Sequence, residues 1–566
     1  MTATNQLTGA EALVRLLQLH GVKYIFGLCG DTSLPFYDAL YRLDHGMTHI
    51  LTRDERSAAY MADGYARVSG RVGVCEGPSG GGATYILPGV VEANESSIPI
   101  LALTTDISVG SRGRFTLTEL DQEALFRPLT KMTRVIDRAA DIPKHVRAAF
   151  TQMTTGRPGA AHLGLPFDVL NGPVDAEDVW GDATLGRFPA RPTAPDPAAV
   201  AKATDLLAGA RNPLFICGGG VVIAGAEAEL QALAEALGAP VATTISGQGS
   251  IGDDHPLALG VVGSNGGTRE TRELVAAADL VIFVGCRAGS VTTERWRYPA
   301  PGKTKVVHID VDAGVIGATY RADAALVGDA RLALAALRHA LGPARRMKGK
   351  TLDAAAVARA KAEKFAAFRA LAASDETPIR PERIVAEFQA VLPPDAVLVA
   401  DPGTPCPYFS AYFTQAAPGR QFISNRAHGA LGYSMSAAVG AHFGRPGKKV
   451  VAVMGDGSFG FTAGELETIT RLGVPLTMIV VSNSVYGWIK AGQKSGYQQR
   501  YFSVDFSRTD HAKVAAAFGV KSWRVEDPAA LHGVLREAVE HSGPTLVDII
   551  AQPLHEARAP VSEWVA

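Results

Sequence analysis

A Gly-Asp-Gly-Ser turn at 455–458 stands between two segments with the apolar pattern of buried strands, KKVVAVM and PLTMIVV, and Asn483 follows the second. The two strands and the segment between them form one strand–helix–strand unit, whose crossover returns the chain to the same end of a parallel sheet. The helix is predicted over Thr462 to Leu472, opened by a Thr-x-x-Glu capping box. We therefore expect Asp456 and Asn483 to lie side by side at the carboxyl edge, where α/β sheets bind ligands.

The residue types at this turn suit a diphosphate held by a metal ion. Carboxylate, amide and backbone carbonyl oxygens are hard ligands, and Mg²⁺ completes its octahedron with phosphate oxygens and water. Gly455 and Gly457 let a phosphate approach the backbone, and a helix N-terminus after Ser458 favours negative charge. A plain tight turn and a strand-end asparagine are the alternative for Gly-Asp-Gly alone, but the strand–helix–strand spacing favours the metal site.

Alternating strand and helix patterns run through the whole chain. The first block opens with a Thr8-to-Glu11 capping box and continues through the strands VKYIFG, THILTR, VGVCEG and IPILALTTD, with helices between them. Such alternation predicts an α/β fold with mostly parallel sheets flanked by helices. A Pro-rich, acidic stretch at 172–197 is interpreted as a linker, and two similar blocks follow. Three domains are therefore expected, at 1–175, 190–345 and 375–555.

The bulk composition argues against several functional classes. Of 566 residues, 47% are apolar and 20% charged, and the net charge is −1 without a long basic run, so nucleic acid is a poor partner. The five cysteines are odd in number and never form a CxxC pair, so neither a disulfide framework nor a zinc site is indicated. No signal-peptide pattern and no apolar run of about 18 residues occur. We expect a cytoplasmic protein without a membrane segment.

The turn, the spacing and Ser482-Asn483 together resemble the GDG…NN signature of thiamine-diphosphate enzymes. This resemblance implies that thiamine diphosphate and Mg²⁺ bind here. The implied metal ligands are Asp456, Asn483 and the carbonyl of Val485. The implied cofactor-binding residues also include Gly455, Gly457, Ser458 and Gly487. Ser482 stands where the family has its first asparagine, which is not the ligand position, so metal binding is expected to persist.

A second segment, LTRDERSAAYMADGYARVSG, resembles the HE…AADGYAR…G stretch of the same family and implies that Glu55 is the catalytic glutamate. In that family the carboxyl group hydrogen-bonds a ring nitrogen of the aminopyrimidine and so activates the thiazolium carbon. A glutamate at the start of a helix otherwise serves as a charge that interacts with the helix dipole. The matching flanks favour the catalytic role.

Two further stretches extend the resemblance. NRAHGALGYSMSAAVGA resembles the segment that wedges an apolar side chain beneath the cofactor, here Leu431, although an ordinary core leucine is the alternative. FGLCGDTSLPFYDAL resembles the first-domain active-site loop, with Gly30 and Asp31 facing substrate, although Asp31 could instead cap a helix. The whole chain is covered, as pyrimidine-binding, central and diphosphate-binding domains. A homodimer or homotetramer with active sites at subunit interfaces is implied.

Within the family, the acetohydroxyacid synthases are the nearest resemblance, carried by GQGSIGDDHPLALGVVG, KVVHIDVDAGVIG and RPLTKM. It implies a carboligase that decarboxylates a 2-oxo acid and adds the enamine to an acceptor carbonyl. Lys131 is then near the site entrance and Thr118 beside the thiazolium ring. FAD is possible, because some members of this branch hold it in the central domain. Departures at 117–119 and 287–289 leave substrate and FAD open, and the CGGG at 217–220 is a weak nucleotide signal.

Alternatives remain at three points. A non-carboligating 2-oxo acid decarboxylase shares every step up to the enamine. A noncatalytic relative of the fold is a different class, against which the intact catalytic and metal-binding positions argue. Trp488 and Lys490 line either a segment over the substrate or, equally, a helix that packs on the core. The C-terminal tail LHEARAPVSEWVA is a further candidate cover for the site.

Overall fold

The computed structural model describes residues 6–342 and 350–564. Three six-stranded sheets, each with parallel neighbours throughout, are flanked by helices, and this confirms the predicted α/β class. The described residues divide into two compact units. Unit one contains the chain up to Arg191, Asn425–Gly447 and Thr462–Val474, and unit two contains Pro192–Ser424, Lys448–Phe461 and the chain from Pro475 onward.

The first sheet belongs to unit one. The strands of this region are β1 (Gln6–Thr8), β2 (Tyr24–Gly27), β3 (Thr48–Leu51), β4 (Gly73–Gly77), β5 (Ile100–Asp106), β6 (Met132–Val135), β7 (Ala161–Pro166) and β8 (Pro173–Asp175). Its helices are α1 (Gly9–Leu19), α2 (Leu34–Arg42), α3 (Glu55–Ser69), α4 (Gly81–Tyr85), α5 (Leu87–Glu95), α6 (Gln122–Phe126), α7 (Ile142–Thr154) and α8 (Phe167–Asn171). The sheet order is β3-β2-β4-β5-β7-β6, and the central strands β4, β5 and β7 are buried along their whole length, as parallel strands covered on both faces are.

Two features of this region can be compared directly with expectation. The Thr8-to-Glu11 capping box is present in full, with reciprocal hydrogen bonds of 2.8 and 3.2 Å. The linker prediction at 172–197 is wrong for most of its length, because β8 pairs antiparallel with β1 and unit one continues to Arg191. Buried Val174 and the backbone pairing hold this stretch against the first sheet's unit, despite its loop-like composition.

The second sheet lies in unit two. Its strands are β9 (Pro213–Cys217), β10 (Val241–Thr243), β11 (Ala258–Val261), β12 (Leu280–Val284), β13 (Lys305–Asp310) and β14 (Ala324–Val327). The helices are α9 (Pro197–Gly209), α10 (Gly219–Ala224), α11 (Glu227–Leu237), α12 (Arg269–Ala276), α13 (Ser290–Thr293), α14 (Ala330–Leu341) and α15 (Ala354–Ala372). The strand order β11-β10-β9-β12-β13-β14 reverses direction between β9 and β12, the arrangement of a doubly wound sheet.

The third sheet also lies in unit two. Its strands are β15 (Val397–Ala400), β16 (Phe422–Ser424), β17 (Val450–Gly455), β18 (Thr477–Ser482), β19 (Lys521–Val525) and β20 (Thr545–Ile550), in the order β16-β15-β17-β18-β20-β19. The helices of this region are α16 (Pro381–Val391), α17 (Pro405–Tyr412), α18 (Ser434–Gly444), α19 (Asp456–Thr462), α20 (Glu465–Leu472), α21 (Gly487–Gly496), α22 (His511–Ala517) and α23 (Pro528–Glu540). Helices α18 and α20 belong to unit one.

The helix predicted from Thr462 to Leu472 is wrong at its start. A helix begins at Asp456, directly after β17, and a break at 463–464 separates it from α20. Thr462 therefore ends α19 instead of capping a helix, and Gly464 precedes α20 without a side-chain cap. The Asp456 carboxylate accepts the Gly457 N–H at 2.9 Å and satisfies a first-turn donor, which accounts for the earlier start.

Helix α3 is held within unit one by a close helix pair. A Cβ at Gly64 would lie 2.1 Å from the Ala437 carbonyl oxygen, and a Cβ at Gly440 would lie 1.9 Å from that of Met61. The two glycines thus allow the backbones of α3 and α18 to touch. No helix within the described ranges has the length and apolar character needed to cross a bilayer.

Candidate functional site

Two carboxyl edges carry the residues predicted to do chemistry. The Asp456 edge comprises residues 401–404, 455–458 and 482–487 of unit two, which follow β15, β17 and β18. The Glu55 edge comprises residues 28–33, 52–55, 78–82, 105–106 and 118 of unit one, around the ends of β2, β3, β4 and β5.

The structure brings Asp456 and Asn483 together as the strand–helix–strand pattern predicts. Strands β17 and β18 are in register, with Gly455 opposite Val481, so the next residues emerge at the same level. The Asp456 carboxylate accepts the backbone N–H groups of Asn483 at 2.8 Å and Ser484 at 2.6 Å, besides that of Gly457. Burial raises the pKa of Asp456, and these three donors oppose that rise.

Ser484 has a left-handed backbone, with φ of +56°. Such a conformation is uncommon for a residue with a side chain and persists where its surroundings hold it. Here its N–H is bound to Asp456, and its carbonyl accepts the Phe506 N–H at 3.0 Å. The neighbouring Val485 forms a bridge with Asp505 whose hydrogen bonds use the adjacent residues, so the Val485 carbonyl takes no part in that pairing.

Ser482, the departure from the family signature, serves a buried network. Its hydroxyl donates to the Asp548 carboxylate at 2.5 Å and lies 3.1 Å from Nδ1 of His511. The same carboxylate accepts the His511 backbone N–H at 3.1 Å. The Ser482 side chain is thus committed to the sheet, and Asn483 alone of this pair can be directed at a ligand.

Thr404 was missed by the sequence patterns. It follows β15, the strand beside β17, and its hydroxyl lies 3.5 Å from Nδ2 of Asn483. The segment Asp401-Pro402-Gly403-Thr404 comes directly after a buried strand, which is the signal that could have placed it at this edge. Gly403 has φ of +93°, so its turn requires glycine.

The other predicted cofactor residues line the same edge. A Cβ at Gly457 would lie 2.7 Å from the Tyr486 ring, so glycine keeps this turn and the ring in contact. Ser458 is buried in the first turn of α19, and Gly487 begins α21 against Leu554.

Trp488 is half-buried and packs against a core cluster of unit two, as the second of its two predicted alternatives describes. Its ring lies 5.1 Å from that of Trp564, and its indole N–H donates to the Trp564 carbonyl at 3.0 Å. Lys490 bonds Asp505 at 2.7 Å. The C-terminal tail therefore covers α21, and it continues to Ser264, whose carbonyl accepts the Ser562 N–H at 2.9 Å.

Glu55 is the first residue of α3, directly after the N-cap Asp54, whose carboxylate accepts the Arg56 N–H at 2.8 Å. The loop before it is fixed by Glu465 of α20, which accepts the Arg53 N–H at 2.9 Å and the Thr468 hydroxyl at 2.8 Å. Glu465 lies 412 positions from Arg53 along the chain, so no local pattern could have linked them.

The Glu55 carboxyl group is buried, with 7% of the residue exposed. Burial is the main cause that raises the pKa of Glu55, and the charges of Asp54 and Glu76 add to it. Glycines make room for the group, since a Cβ at Gly77 would lie 3.2 Å from its Cγ and one at Gly82 would lie 3.2 Å from its Oε1. The position therefore favours a carboxyl group that retains its proton to a higher pH than usual.

A chain of hydroxyl groups lines the Glu55 edge. Thr32 bonds the hydroxyls of Ser79 at 3.1 Å and Thr105 at 2.7 Å, and Ser79 bonds that of Thr118 at 2.7 Å. Thr118 has φ of +69°. The predicted pocket residue Thr118 is thus anchored to the strand ends by hydroxyl groups that the sequence patterns missed.

Gly30 and Asp31 lie at this edge as well. A Cβ at Gly30 would lie 2.4 Å from the Pro78 side chain, so the loop after β2 contacts the loop after β4. Asp31 is exposed, and its carboxylate accepts only the adjacent Thr32 N–H, at 2.9 Å, among the hydrogen bonds of the described chain. It does not cap α2, whose N-cap is Ser33.

A buried acid that no motif indicated lies beside Glu55. Glu76, in the otherwise apolar β4, bonds the Tyr37 hydroxyl and lies 3.3 Å from Nε2 of His49. Tyr37 and His49 are themselves 3.0 Å apart. Burial raises the pKa of Glu76, while His49 and Tyr37 oppose that rise. A glutamate in the buried run VGVCEG was the signal available in the sequence.

Lys131 does not join the Glu55 edge of its own chain. It precedes β6, at the amino end of the parallel strands, whereas Glu55 lies at their carboxyl end. Its ammonium group donates to the carbonyls of Gln152 at 2.5 Å, Thr155 at 3.1 Å and Arg157 at 2.6 Å, and so binds the end of α7. This placement gives the predicted active-site lysine a structural role within one chain.

Leu431 is half-buried in a loop that unit one holds in place. Buried Glu92 accepts the His428 N–H at 2.7 Å, and Asn425 donates to the Ala430 carbonyl at 2.7 Å.

The glycines after β9 have a packing explanation. A Cβ at Gly218 would lie 2.2 Å from the Gly285 carbonyl oxygen, and one at Gly220 would lie 2.6 Å from the Gly285 Cα. The loops after β9 and β12 therefore touch through their backbones, which accounts for this cluster without a nucleotide.

Comparison with known proteins matches three family models to successive parts of the chain: the thiamine pyrophosphate enzyme N-terminal TPP binding domain at 7–125, the central domain at 200–337 and the C-terminal TPP binding domain at 401–549. A probable acetolactate synthase large subunit of Methanocaldococcus jannaschii is 37% identical over 555 residues, which cover 97% of this chain and 92% of the relative. The acetolactate synthase isozyme 3 large subunit of Escherichia coli K12 is 32% identical over 536 residues, covering 94% and 92%. The acetolactate synthase large subunit IlvB1 of Mycobacterium tuberculosis is 33% identical over 561 residues, covering 97% and 88%.

Proposed function

Because the chain belongs to the thiamine pyrophosphate enzyme family, we propose that it is an acetolactate-synthase-like carboligase, which decarboxylates a 2-oxo acid and joins the remaining fragment to an acceptor carbonyl. The observation that carries the proposal is the pair of carboxyl edges. One presents a buried glutamate with a raised pKa, and the other presents an aspartate and an asparagine at adjacent strand ends. The names of the relatives support the synthase reaction over simple decarboxylation.

The Asp456 edge fits a diphosphate and Mg²⁺ by its donor set. Asp456 supplies a charged oxygen, Asn483 an amide oxygen and Val485 a carbonyl outside the local pairing. One carboxylate leaves room for phosphate oxygens in an octahedron, as Mg²⁺ prefers. Gly455 has open space where a Cβ would stand, so a phosphate can approach the turn beside Gly457 and Ser458.

When bound, thiamine diphosphate supplies a carbon nucleophile and an electron sink for the loss of CO₂. Glu55 is proposed to share its proton with the pyrimidine ring of that cofactor. Its raised pKa suits this task, because the carboxyl group keeps its proton to a higher pH than an exposed glutamate does and can give it up reversibly. Leu431 is proposed to support the cofactor from below, and Gly487 to line its diphosphate end.

The hydroxyl chain is proposed to face the substrate. Thr118, which Ser79 fixes, offers its hydroxyl group to a 2-oxo acid. The exposed Asp31 carries a negative charge, which repels the carboxylate of the substrate and so limits its orientation. Leu117, next to Thr118, is 84% exposed, which leaves an apolar side chain available to a substrate or to another subunit.

The active form is proposed to be a homodimer or homotetramer with sites at subunit interfaces. The Glu55 edge and the Asp456 edge belong to different compact units of the chain, which is compatible with a site shared between two subunits. Backbone packing explains the glycines at 218–220 without FAD. The visible absorption spectrum of the purified protein tests separately whether a flavin is bound.

Product analysis tests the reaction. Purified protein incubated with thiamine diphosphate, Mg²⁺ and pyruvate is expected to give acetolactate, identified by NMR. Acetaldehyde as the only product would replace the carboligase by a decarboxylase. Pyruvate left unchanged, with turnover of other 2-oxo acids, would show that the pocket around Leu117 and Thr118 selects a different donor.

A further inference from the structure

Unit one contains a cavity of about 360 Å³ at the amino ends of β2 and β3. Tyr24 and Thr48, the first residues of those strands, line it, together with the C-terminal end of α3. Its volume is within the range of small-molecule pockets. It lies at the opposite end of the parallel strands from the Glu55 edge, so the proposed reaction makes no use of it.

Three cations line this cavity, and none of its lining residues is acidic. They are Lys23, Arg71 and Arg187. Within residues 6–342 and 350–564 none of these side chains forms an ion pair, although arginines of this chain commonly do so elsewhere. The cavity therefore carries positive charge that no ion pair within the described part of the chain neutralises.

The two arginines are directly opposite each other. Arg71 and Arg187 form an isolated antiparallel bridge, flanked by hydrogen bonds from Val72 to Gly186 at 3.0 Å and from Phe188 to Gly70 at 3.2 Å. This makes them a non-hydrogen-bonded pair, in which side chains lie on the same face and close together. Like charges placed opposite each other destabilise a strand pair. An anion bound between them would remove that cost.

Aromatic rings form another wall of the cavity. The Tyr24 ring lies 4.9 Å from that of Phe443 and 5.5 Å from that of Tyr65. Tyr24 and Phe443 are only partly buried, so their rings are available to a planar ligand. Aromatic faces stack with flat rings, and paired guanidinium groups match the oxygens of a phosphate.

We propose that this cavity binds a small phosphorylated ligand with a planar ring, of the nucleoside monophosphate class. Three cations without a counter-charge suit the dianionic phosphate better than a single carboxylate. The phosphate lies between Arg71 and Arg187, and the ring lies against Tyr24 and Phe443.

The test is calorimetric titration of the holoenzyme, saturated with thiamine diphosphate and Mg²⁺, with AMP, adenosine and inorganic phosphate. Saturation removes the cofactor site as a competing place for AMP. The tightest binding is expected for AMP. Arg71→Gln and Arg187→Gln are each expected to weaken it about tenfold or more, because each removes a charge-assisted contact. Arg321→Gln, an exposed arginine outside the cavity, is the matched control and is expected to bind AMP as the wild type does.

Several outcomes would overturn the proposal. If AMP shows no measurable binding to the wild-type holoenzyme, the proposal is wrong whatever the variants do. Unchanged AMP affinity in both cavity variants moves the site elsewhere. If inorganic phosphate binds as tightly as AMP, the planar ring contributes nothing to binding and the ligand is free phosphate. Turnover of the variants checks their folding, since Tyr65 of the cavity lies about 15 Å along α3 from Glu55 at 1.5 Å per residue.

Discussion

The carboxyl groups of Glu55 and Asp456 are both buried at strand ends, but their surroundings differ. Asp456 accepts three backbone N–H groups, one from the first turn of α19 and two from the loop after β18. In the part of the chain that the structure describes, no other residue donates a hydrogen bond to the Glu55 carboxyl group, and nearby acids raise its pKa further. The first arrangement fixes an anion in one geometry, which suits a metal ligand. The second leaves a proton exchangeable, which suits acid–base chemistry.

The largest effect is expected from Glu55→Gln. Glutamine keeps the size of the side chain but cannot exchange a proton, so turnover should fall by about 10²–10⁴-fold while thiamine diphosphate still binds. Steady-state kinetics and cofactor titration measure the two parts separately. Glu540→Gln, at the exposed end of α23, is the control. If Glu55→Gln turned over at the wild-type rate, Glu55 would not be the catalytic glutamate.

Asp456→Asn is expected to act on binding. The amide lacks the negative charge and directs an NH₂ group at backbone donors, so thiamine diphosphate affinity in Mg²⁺ should fall by about 10–100-fold or more. Isothermal titration with and without a chelator measures this. Wild-type affinity in the variant, or retention of the cofactor by metal-free wild-type protein, would contradict the metal site.

Mixing the two variants, assayed at a thiamine diphosphate concentration that saturates the wild type but not Asp456→Asn, tests whether the edges come from different subunits. A heterodimer of Glu55→Gln and Asp456→Asn chains has one intact site if each site combines both subunits, so unfolding and refolding the mixture should restore about a quarter of wild-type activity. Each variant refolded alone is the control. No recovery in a mixture shown to contain heterodimers would mean that both residues serve the same site from one chain.

A smaller effect is expected from Glu76→Gln, seen in the pH dependence of stability. The folded pKa of Glu76 is raised above its ordinary 4.5 by burial, so its contribution to stability is full below 4.5 and is lost as pH rises through the folded value. Tyr37, His49, Cys75 and Glu55 are the titratable groups of the described residues that interact with it. Between acid and neutral pH, the Tm of Glu76→Gln should therefore fall by a few degrees less than the Tm of the wild type.

Thermal unfolding from about pH 4 to 8 measures this difference, with Glu540→Gln, a substitution of an exposed glutamate, as the comparison. An unchanged pH profile in Glu76→Gln would show that Glu76 keeps no proton in the folded protein. An ionised Glu76 would then remain one of the charges that raise the pKa of Glu55.

Local patterns were sufficient where the controlling interactions are short in sequence. The Thr8 capping box, the alternation of strands and helices, and the adjacency of Asp456 and Asn483 each depend on one helix turn or one crossover. Such units repeat the same geometry wherever they occur, which is why the α/β class could be predicted. The start of the helix after β17 was predicted wrongly although the hydrogen bond in its first turn joins the adjacent residues Asp456 and Gly457, because the Thr-x-x-Glu pattern at 462–465 was interpreted as the start.

Lys131 was placed near the site entrance by its motif, and this role stays a prediction because the proposed site combines two subunits. The segment RPLTKM indicated a lysine at the site entrance, but the ammonium group is bound by three carbonyls at the end of α7. A long flexible side chain takes the partners that the fold provides, and the motif does not specify those partners.

The sequence by itself determined the order of the α/β blocks and the residue types at each strand end, because hydrophobic periodicity and glycine turns act locally. Only the tertiary structure decided the electrostatic character of those ends. Glu465 fixes the loop before Glu55, and Asp548 binds Ser482, over separations of 412 and 66 positions. Likewise, the pair of positive charges formed by Arg71 and Arg187 exists only because the fold brings these two positions together. Burial and donor geometry depend on what packs against a residue, and distant parts of the chain supply that.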